Sequence, residues 1–169
     1  WGQLMAIVDG LLPEFDHEVA TTRKLLERVP ADRGDWRPHP KSSTLAGLAT
    51  HVATLPRWGG MTLQTSEFDL ATGESPALLA TRDALVDEFD RQTSTMRAAL
   101  VGRTDAELLA PWTLKRAGQT ILTMPKIGVI RSFVLNHLVH HRGQLSVYLR
   151  QLDVPIPSIY GPSADEAPF

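Results

Sequence analysis

The chain of 169 residues contains no cysteine. This absence excludes disulfide bonds, thiolate zinc sites and a cysteine nucleophile. The chain also lacks a long basic block, and its formal net charge is −2. We therefore expect neither nucleic acid nor an anionic membrane as its main partner. No apolar run approaches the roughly 18–20 residues that a membrane span requires.

Several catalytic signatures are missing as well. There is no glycine-rich phosphate loop, no G-x-S-x-G nucleophile motif and no internal repeat. The apolar stretch 5–12 contains Asp9 and lacks a basic leader, so it does not predict a signal peptide and a cytoplasmic protein is expected. The hydrophobic share of 43% is ordinary for a globular protein, and the length suits one domain over residues 1–169.

The spacing of apolar residues predicts an all-α protein, a four-helix bundle with long crossover connections. Pro13 suits a first helical position, Ser42 and Ser43 are candidate N-caps, and Ser75 followed by proline starts the longest helix. The predicted helices cover about 12–29, 42–55, 76–101 and, opened by Pro125, the stretch to Leu152.

The remaining segments are predicted to be connections. Residues 57–75 and 102–124 are long enough to run back along the bundle, and 111–124 looks irregular or weakly extended around Trp112. Thr104 and Glu107 form a capping-box pattern for a short helical turn. Residues 155–169 are rich in proline and are expected to lie extended on the bundle, with Ile156, Ile159 and Tyr160 as apolar contacts.

Two histidines lie in or beside the apolar stripe of the last helix, where a bundle helix ordinarily carries leucine. His137 and His141 are four residues apart, so they share a helix face with Cβ atoms about 6 Å apart, and both can reach one metal ion. His140 points about 100° away from its neighbour and is less suited. A third ligand is expected from another buried face, and His51 lies there at helical spacing from Leu48.

This interpretation competes with a purely structural one. A histidine on an apolar face is most often a core residue that is hydrogen-bonded to a carbonyl or hydroxyl group. An H-x-x-x-H pair alone often occurs without metal, and Leu138 stands where the zincin pattern has its glutamate. The presence of His51 on a second buried face favours metal binding, and three imidazoles leave coordination positions open for water or substrate.

Other polar residues are weaker candidates. Asp16 or Glu18 is considered as an additional ligand or base, although carboxylates near a helix start usually stabilise the helix dipole. Arg142 and Gln144 are considered as contacts to substrate or to water at the site. An arginine on a helix flank is more commonly a solvated charge.

The histidine-bearing segments resemble the DinB-like family, a damage-inducible group that includes bacterial thiol-dependent S-transferases and a mycothiol-dependent isomerase. The most specific parts are T-H-V-A around His51 and N-H-x-x-H-H-R-G-Q from Asn136. The matching stretches are residues 11–16, 41–53, 136–145 and 160–166, in the order that the family has them.

The resemblance implies a four-helix bundle in which His51, His137 and His141 bind one divalent metal ion, commonly zinc or nickel in isolated proteins. It also implies a homodimer, since several members are dimers. The leading hypothesis is a metal-dependent thiol S-transferase, whose low-molecular-weight thiol must be a separate small-molecule substrate because the chain has no cysteine. The alternatives are a hydrolase that uses metal-bound water and a non-enzymatic, stress-associated metal-binding bundle with a sealed site.

Overall fold

The computed structural model describes residues 5–167, and residues 1–4 and 168–169 of the predicted domain and tail lie outside the described part. Most of the described chain is helical. The helices are α1 (Ile7–Leu26), α2 (Leu45–Thr54), α3 (Arg57–Gln64), α4 (Arg82–Leu100), α5 (Asp105–Leu109), α6 (Lys126–Val129) and α7 (Asn136–Gln151). A short 3-10 helix spans Ala31–Arg33, and a π-helical segment, Ile130–Leu135, joins α6 to α7. None of the helices between residues 5 and 167 combines the length and apolarity needed to cross a membrane.

A three-stranded sheet, with strands β1 (Glu67–Asp69), β2 (Pro111–Arg116) and β3 (Gln119–Pro125), stands beside the helices. β1 pairs with β2 in parallel, and β2 pairs with β3 as an antiparallel hairpin. The prediction of a mostly helical protein is confirmed. The prediction of an all-α four-helix bundle fits only roughly, because this sheet and the helix α3 occupy the two predicted connections.

The helical core is built from one face of each long helix. α4 packs against α1, α2 and α3, and α7 packs against α1 and α2. Phe15, Phe89, Leu138 and Leu145 are among the fully buried side chains where these helices meet. Burial of such side chains, at about 1.5–3 kcal/mol each, holds the long helices together.

Helix α1 begins and ends earlier than the predicted 12–29. It starts at Ile7 and continues through Pro13, because the burial of Val8 and Leu11 stabilises the turns before the proline. After Leu26 the chain closes with two tighter turns, so residues up to 29 are turn rather than α-helix. Tertiary packing thus overrides the local signal of a proline at the first position.

The capping residues are partly as predicted. Thr44, and neither Ser42 nor Ser43, caps α2 by accepting a hydrogen bond of 3.1 Å from the backbone N–H three residues on. The capping box of Thr104 and Glu107 at the start of α5 is present, with hydrogen bonds in both directions. A serine earlier in the loop has the right chemistry, but only the residue that directly precedes the helix can cap it.

The long helix α4 starts later than predicted from Ser75. Its N-cap is Thr81, and the residues before it are extended. The backbone N–H of Leu79 donates a hydrogen bond of 3.0 Å to Thr50 in α2, which ties this segment to the bundle. Leu78, in the same extended segment, is 61% exposed.

Residues 111–124 were predicted to be irregular or weakly extended, and in the structure they form the two regular strands β2 and β3. Their hairpin turns at Ala117 and Gly118, which both have positive φ angles, 50° and 78°. The carboxylate of Asp69 accepts hydrogen bonds from both backbone N–H groups and fixes the turn to the end of β1. These backbone donors, Gly118 first, lower the pKa of Asp69.

Residues beyond α7 run extended along the bundle without regular secondary structure, up to the last described residue. Asp165 accepts a hydrogen bond from the backbone of Ile156 and forms a salt bridge with Arg150. Glu166 pairs with Arg28 at 2.6 Å. The segment is therefore attached to both α7 and the end of α1 by charged contacts as well as by apolar ones.

Candidate metal centre

The three histidines singled out from the sequence lie together where α2 packs against α7. His51 projects from α2, and His137 and His141 project from successive turns of α7. The Nε2 atoms of His51 and His137 are 3.4 Å apart, and those of His137 and His141 are 2.8 Å apart. Their candidate ligand nitrogens all lie within 4.8 Å of one another.

These distances fit a shared metal ion. A tetrahedral zinc ion with Zn–N bonds of about 2.0–2.1 Å separates its ligand nitrogens by about 3.3–3.4 Å. The spacing between His51 and His137 has this value, and that between His137 and His141 is shorter. The two ring nitrogens of α7 would therefore have to move slightly apart to hold an ion, and imidazole donors suit zinc, nickel and copper.

Gln144 orients one of the three rings. Its side-chain oxygen lies 2.7 Å from Nδ1 of His141, which donates the hydrogen bond. This contact places the proton on Nδ1 and leaves the lone pair of Nε2 directed at the other two rings. Gln144 was a candidate from the sequence, and the structure places it in contact with His141.

The electrostatics of the cluster favour neutral imidazoles. Burial, followed by the charges of the other two rings, lowers the pKa of His51 to about 4. Burial is also the main cause of the lowered pKa of His141. Metal ions bind the deprotonated nitrogen, so at neutral pH these two rings are already in the form that an ion requires.

The sequence suggested that the histidine rings lie on buried helix faces, but in the structure they are not enclosed in the core. Leu138 and Leu145 of α7 are fully buried, whereas His137 and His141 lie at the edge of that stripe and His51 keeps contact with solvent. A helix face is wider than its buried line, so residues one position round from it reach a groove instead of the interior. The groove gives access to the ring nitrogens.

Two pockets open beside His51. The first, which we call the aromatic pocket, has a volume of about 170 Å³ and reaches both His51 and His137. Its other walls are Trp58, Trp112, Leu114, Val129 and Phe133. The second, which we call the polar pocket, has a volume of about 200 Å³ and is lined in part by His51, Thr54, Arg57, Glu74 and Ser75.

The pocket walls were missed by the sequence interpretation. Trp58 belongs to α3, and Leu114 belongs to β2, two elements that were predicted as connections. One signal was available in the sequence: Trp58 follows His51 by seven residues, or two helical turns. In the structure the linking residues Leu55 and Pro56 both have helical backbone angles, so the helical path continues from α2 into α3. No comparable signal identifies Phe133 in the π-helical segment.

His140 lies outside the cluster, as its angle on the helix predicted. Its side chain is exposed, and its ring contacts His141 alone among the three, at a centroid distance of 4.8 Å. The carboxylate candidates are also elsewhere: Asp16 forms a surface pair with Arg97 at 2.8 Å. Asp16 is therefore not part of the cluster that could hold a metal ion in the described residues.

Arg142 and Glu18 form an interior ion pair instead of contributing to the site. The side chain of Arg142 is 1% exposed, and its Nη1 lies 2.6 Å from Oε2 of Glu18. It also donates to the hydroxyl of Tyr160, which in turn donates to the Glu18 carboxylate at 2.8 Å. The expectations of a solvated Arg142 and of Glu18 as a ligand are both wrong, because each neutralises the other.

The chain is therefore a mostly helical protein in which three histidines converge at an open groove and could hold a metal ion. The family model described as "DinB family" matches residues 7–168 of the chain. The chain therefore belongs to the DinB family, as its histidine motifs suggested.

Similar proteins match this chain along most of their length. An uncharacterized protein of Bacillus subtilis (strain 168), YrdA, is 26% identical over 159 residues, which are 94% of this chain and 91% of YrdA. The crystal structure of a DinB-like protein from Bacillus cereus ATCC 10987 matches with a TM-score of 0.72 and 22% identity, covering 94% of this chain and 100% of that one. A DinB-like protein from Exiguobacterium sibiricum 255-15 matches with a TM-score of 0.65 and 22% identity, covering 90% and 97%. At these identities the solved structures establish the fold alone.

Proposed function

We propose that this protein binds one divalent metal ion through His51, His137 and His141 and acts as a metal-dependent thiol S-transferase. The observation that supports the proposal is the convergence of three ring nitrogens, at 2.8 and 3.4 Å, in a groove that opens into two pockets. A metal site that only stabilises a fold is normally closed by protein ligands on all sides. The open groove favours turnover over the non-enzymatic alternative.

A divalent ion held by neutral ligands suits an anionic co-substrate. When bound, a divalent ion supplies Lewis acidity that stabilises a thiolate or a hydroxide. The three histidines are neutral ligands and leave the charge of the ion uncompensated. Arg57 adds a cation to the wall of the polar pocket, where its guanidinium donates a 3.2 Å hydrogen bond to the backbone carbonyl of Glu74. We assign this pocket to the low-molecular-weight thiol.

In the transfer, the thiolate sulfur forms a bond to an electrophilic carbon, and the leaving group departs with the bonding electron pair. The proton of the thiol passes to solvent. The chain contributes no nucleophile of its own, since it has no cysteine. Its task is to hold the two substrates on either side of His51 and to keep the ring nitrogens unprotonated.

Hydrolysis is the second candidate because a carboxylate is available for it. Glu74 lines the polar pocket and can act as the base that a metal-activated water requires. A hydrolase would lose activity in the Glu74→Gln variant and would need no thiol. An S-transferase would retain most activity in that variant and would depend on thiol concentration.

Metal analysis of protein purified without a histidine tag tests the first part of the proposal. We expect about one zinc or nickel ion per chain in the wild type and less than about a tenth of that in His51→Ala, His137→Ala and His141→Ala. His140→Ala is the matched control, and it should retain the full complement. Equal metal content in wild type and in the three variants would refute the three-histidine site.

A thiol panel tests the reaction. Metal-loaded protein is incubated with a series of low-molecular-weight thiols and with a halogenated aromatic compound or an epoxide, and consumption of both substrates is followed. Thiol-dependent loss of the electrophile that disappears in His51→Ala supports the transferase. We further propose that the protein is a homodimer, which light scattering of the purified chain would test.

A further inference from the structure

We infer that the aromatic pocket binds a compact apolar ring, such as a substituted benzene ring, as the electrophilic substrate or as part of it. This inference deepens the proposed S-transferase function and rests on it for the reaction. The binding itself depends only on the pocket walls. The inference follows from the construction, the size and the position of the pocket.

The walls are fixed in place by contacts outside the pocket. The indole of Trp112 is 1% exposed, and its N–H donates a 3.1 Å hydrogen bond to the hydroxyl of Thr65. Trp58 meets Phe68 edge to face, with ring centroids 5.5 Å apart and planes at 77°. Walls that are held in this way lose little conformational freedom when a ligand binds, so a small apolar molecule can bind measurably.

The sheet supplies one side of the pocket by simple alternation. Trp112 and Leu114 are two residues apart in β2 and therefore project from the same face. Leu114 pairs with Phe68 of β1 in the sheet register, which continues the apolar surface toward Trp58. The pocket is thus an apolar gap between the sheet and the helices, open at one end to the histidines.

The size of the pocket limits the ligand to about one ring. Its volume is about 170 Å³. An engineered apolar cavity of about 150 Å³ in another protein stays dry and binds benzene. A benzene ring with one or two small substituents therefore fits, whereas a fused bicyclic system would have to protrude from the opening.

Phe133 gives this opening an exposed aromatic edge. It lies in the π-helical segment and is 36% exposed, while the next two residues, Val134 and Leu135, are buried. π-helical insertions are common at functional sites, and they change which side chains a helix presents. Phe133 also lies only four residues before His137, so a ring bound against it is adjacent to the candidate metal centre.

Binding of fluorinated probes to metal-free protein tests the inference. The probes are 4-fluorobenzyl alcohol, its fluoronaphthyl counterpart and 6-fluorohexan-1-ol, each titrated by ¹⁹F NMR in the presence of a chelator. We expect saturable binding of the single-ring probe, at least about tenfold tighter than that of the other two.

Two variants and a control locate the binding site. Leu114→Trp fills the pocket and should weaken binding of the single-ring probe by about tenfold or more, and Phe133→Ala should weaken it several-fold. Val147→Ala, at a 56% exposed position of α7 that does not line the pocket, should leave it unchanged. Phe133 is at the surface, so its variant remains informative if Leu114→Trp fails to fold.

Absence of saturable binding, equal binding of all three probes, or unchanged affinity in Phe133→Ala would overturn the inference. The test separates it from the proposed function because no metal is present. Ring binding with no metal content in the wild type would refute the metal site and leave the ring site standing. Normal metal content without ring binding would do the reverse.

Discussion

The interior ion pair of Glu18 and Arg142 offers the sharpest test of how the bundle is held together. The guanidinium of Arg142 is 1% exposed, and its charge is balanced by the Glu18 carboxylate at 2.6 Å. The hydroxyl of Tyr160 bridges the two, and Thr22 accepts a further hydrogen bond of 3.2 Å from Arg142. Glu18→Gln keeps the shape of this arrangement and removes its negative charge.

The magnitude follows from the burial of the charge that remains. Removing one partner of a buried ion pair typically costs about 3–5 kcal/mol, because the other charge is left uncompensated away from water. The amide oxygen of glutamine can still accept a hydrogen bond from Arg142, so we expect a loss of about 3 kcal/mol in the free energy of unfolding. The double variant Glu18→Leu with Arg142→Leu removes both charges and should cost less than the sum of the single changes.

Urea unfolding of the metal-free protein at pH 7, followed by tryptophan fluorescence, measures the effect. Asp16→Asn is the matched control, because Asp16 lies half a turn away on α1 and pairs with Arg97 at 2.8 Å on the surface. An exposed pair contributes only about 0–1 kcal/mol. If Glu18→Gln costs no more than Asp16→Asn, the Arg142 charge does not depend on Glu18 for its compensation, and the ion pair does not stabilise the bundle.

Three further predictions concern the site and its surroundings. Gln144→Ala should weaken zinc binding by about 10–100-fold in a calorimetric titration, because His141 loses the acceptor that orients its ring; an unchanged affinity would contradict this. Gly59→Ala should lower the free energy of unfolding by about 1–3 kcal/mol, because the added Cβ would lie 2.1 Å from the sulfur of the buried Met96. Gly60→Ala is the control: its Cβ would have ordinary contacts, so the change should be neutral or stabilising by up to about 1 kcal/mol. The pKa of His51 is lowered from 6.5 to about 4, so the unfolded chain binds more protons between these pH values. The contribution of His51 to the stability of the metal-free protein should therefore be fully present above about pH 6.5 and be lost as the pH falls toward 4. His51→Ala should flatten that part of a plot of urea midpoint against pH.

The histidine cluster was predictable because each of its determinants is local. The four-residue spacing of His137 and His141 places both on one face of α7, and the spacing of His51 from Leu48 places it on the packing side of α2. The angle of about 100° between His140 and His141 on the helix likewise predicted that His140 lies outside the cluster. Only the depth was wrong, because periodicity gives the direction of a side chain and not its distance from solvent.

The region between α2 and α4 was not predictable in the same way. The pair Gly59–Gly60 normally ends a helix, yet α3 continues through it, because Gly59 allows the backbone to approach Met96 of α4. That reason lies in a neighbour from a distant part of the chain. The helix therefore became visible only when the packing was known.

The sheet and the ion pair were missed for related reasons. The hairpin of β2 and β3 turns at Ala117–Gly118, which lacks the asparagine or aspartate that usually marks such a turn. Arg142 resembles a solvated arginine on a helix flank until Glu18, 124 positions away, is placed beside it. Pairings across such distances leave no mark on the local pattern.

The separation of the histidines along the chain has a consequence for biosynthesis. His51 and His137 are 86 positions apart, and the intervening chain contains α3, α4 and the whole sheet. A ribosome that adds about 5–20 residues per second needs several seconds to extend the chain from α2 to α7. During that interval His51 has no partner ring, so an ion held by all three histidines could be captured only after α7 has been made and has docked. In the proposed function, metal acquisition is thus a late event in the life of the nascent chain, because it follows the synthesis of α7 and the docking of α7 against α2.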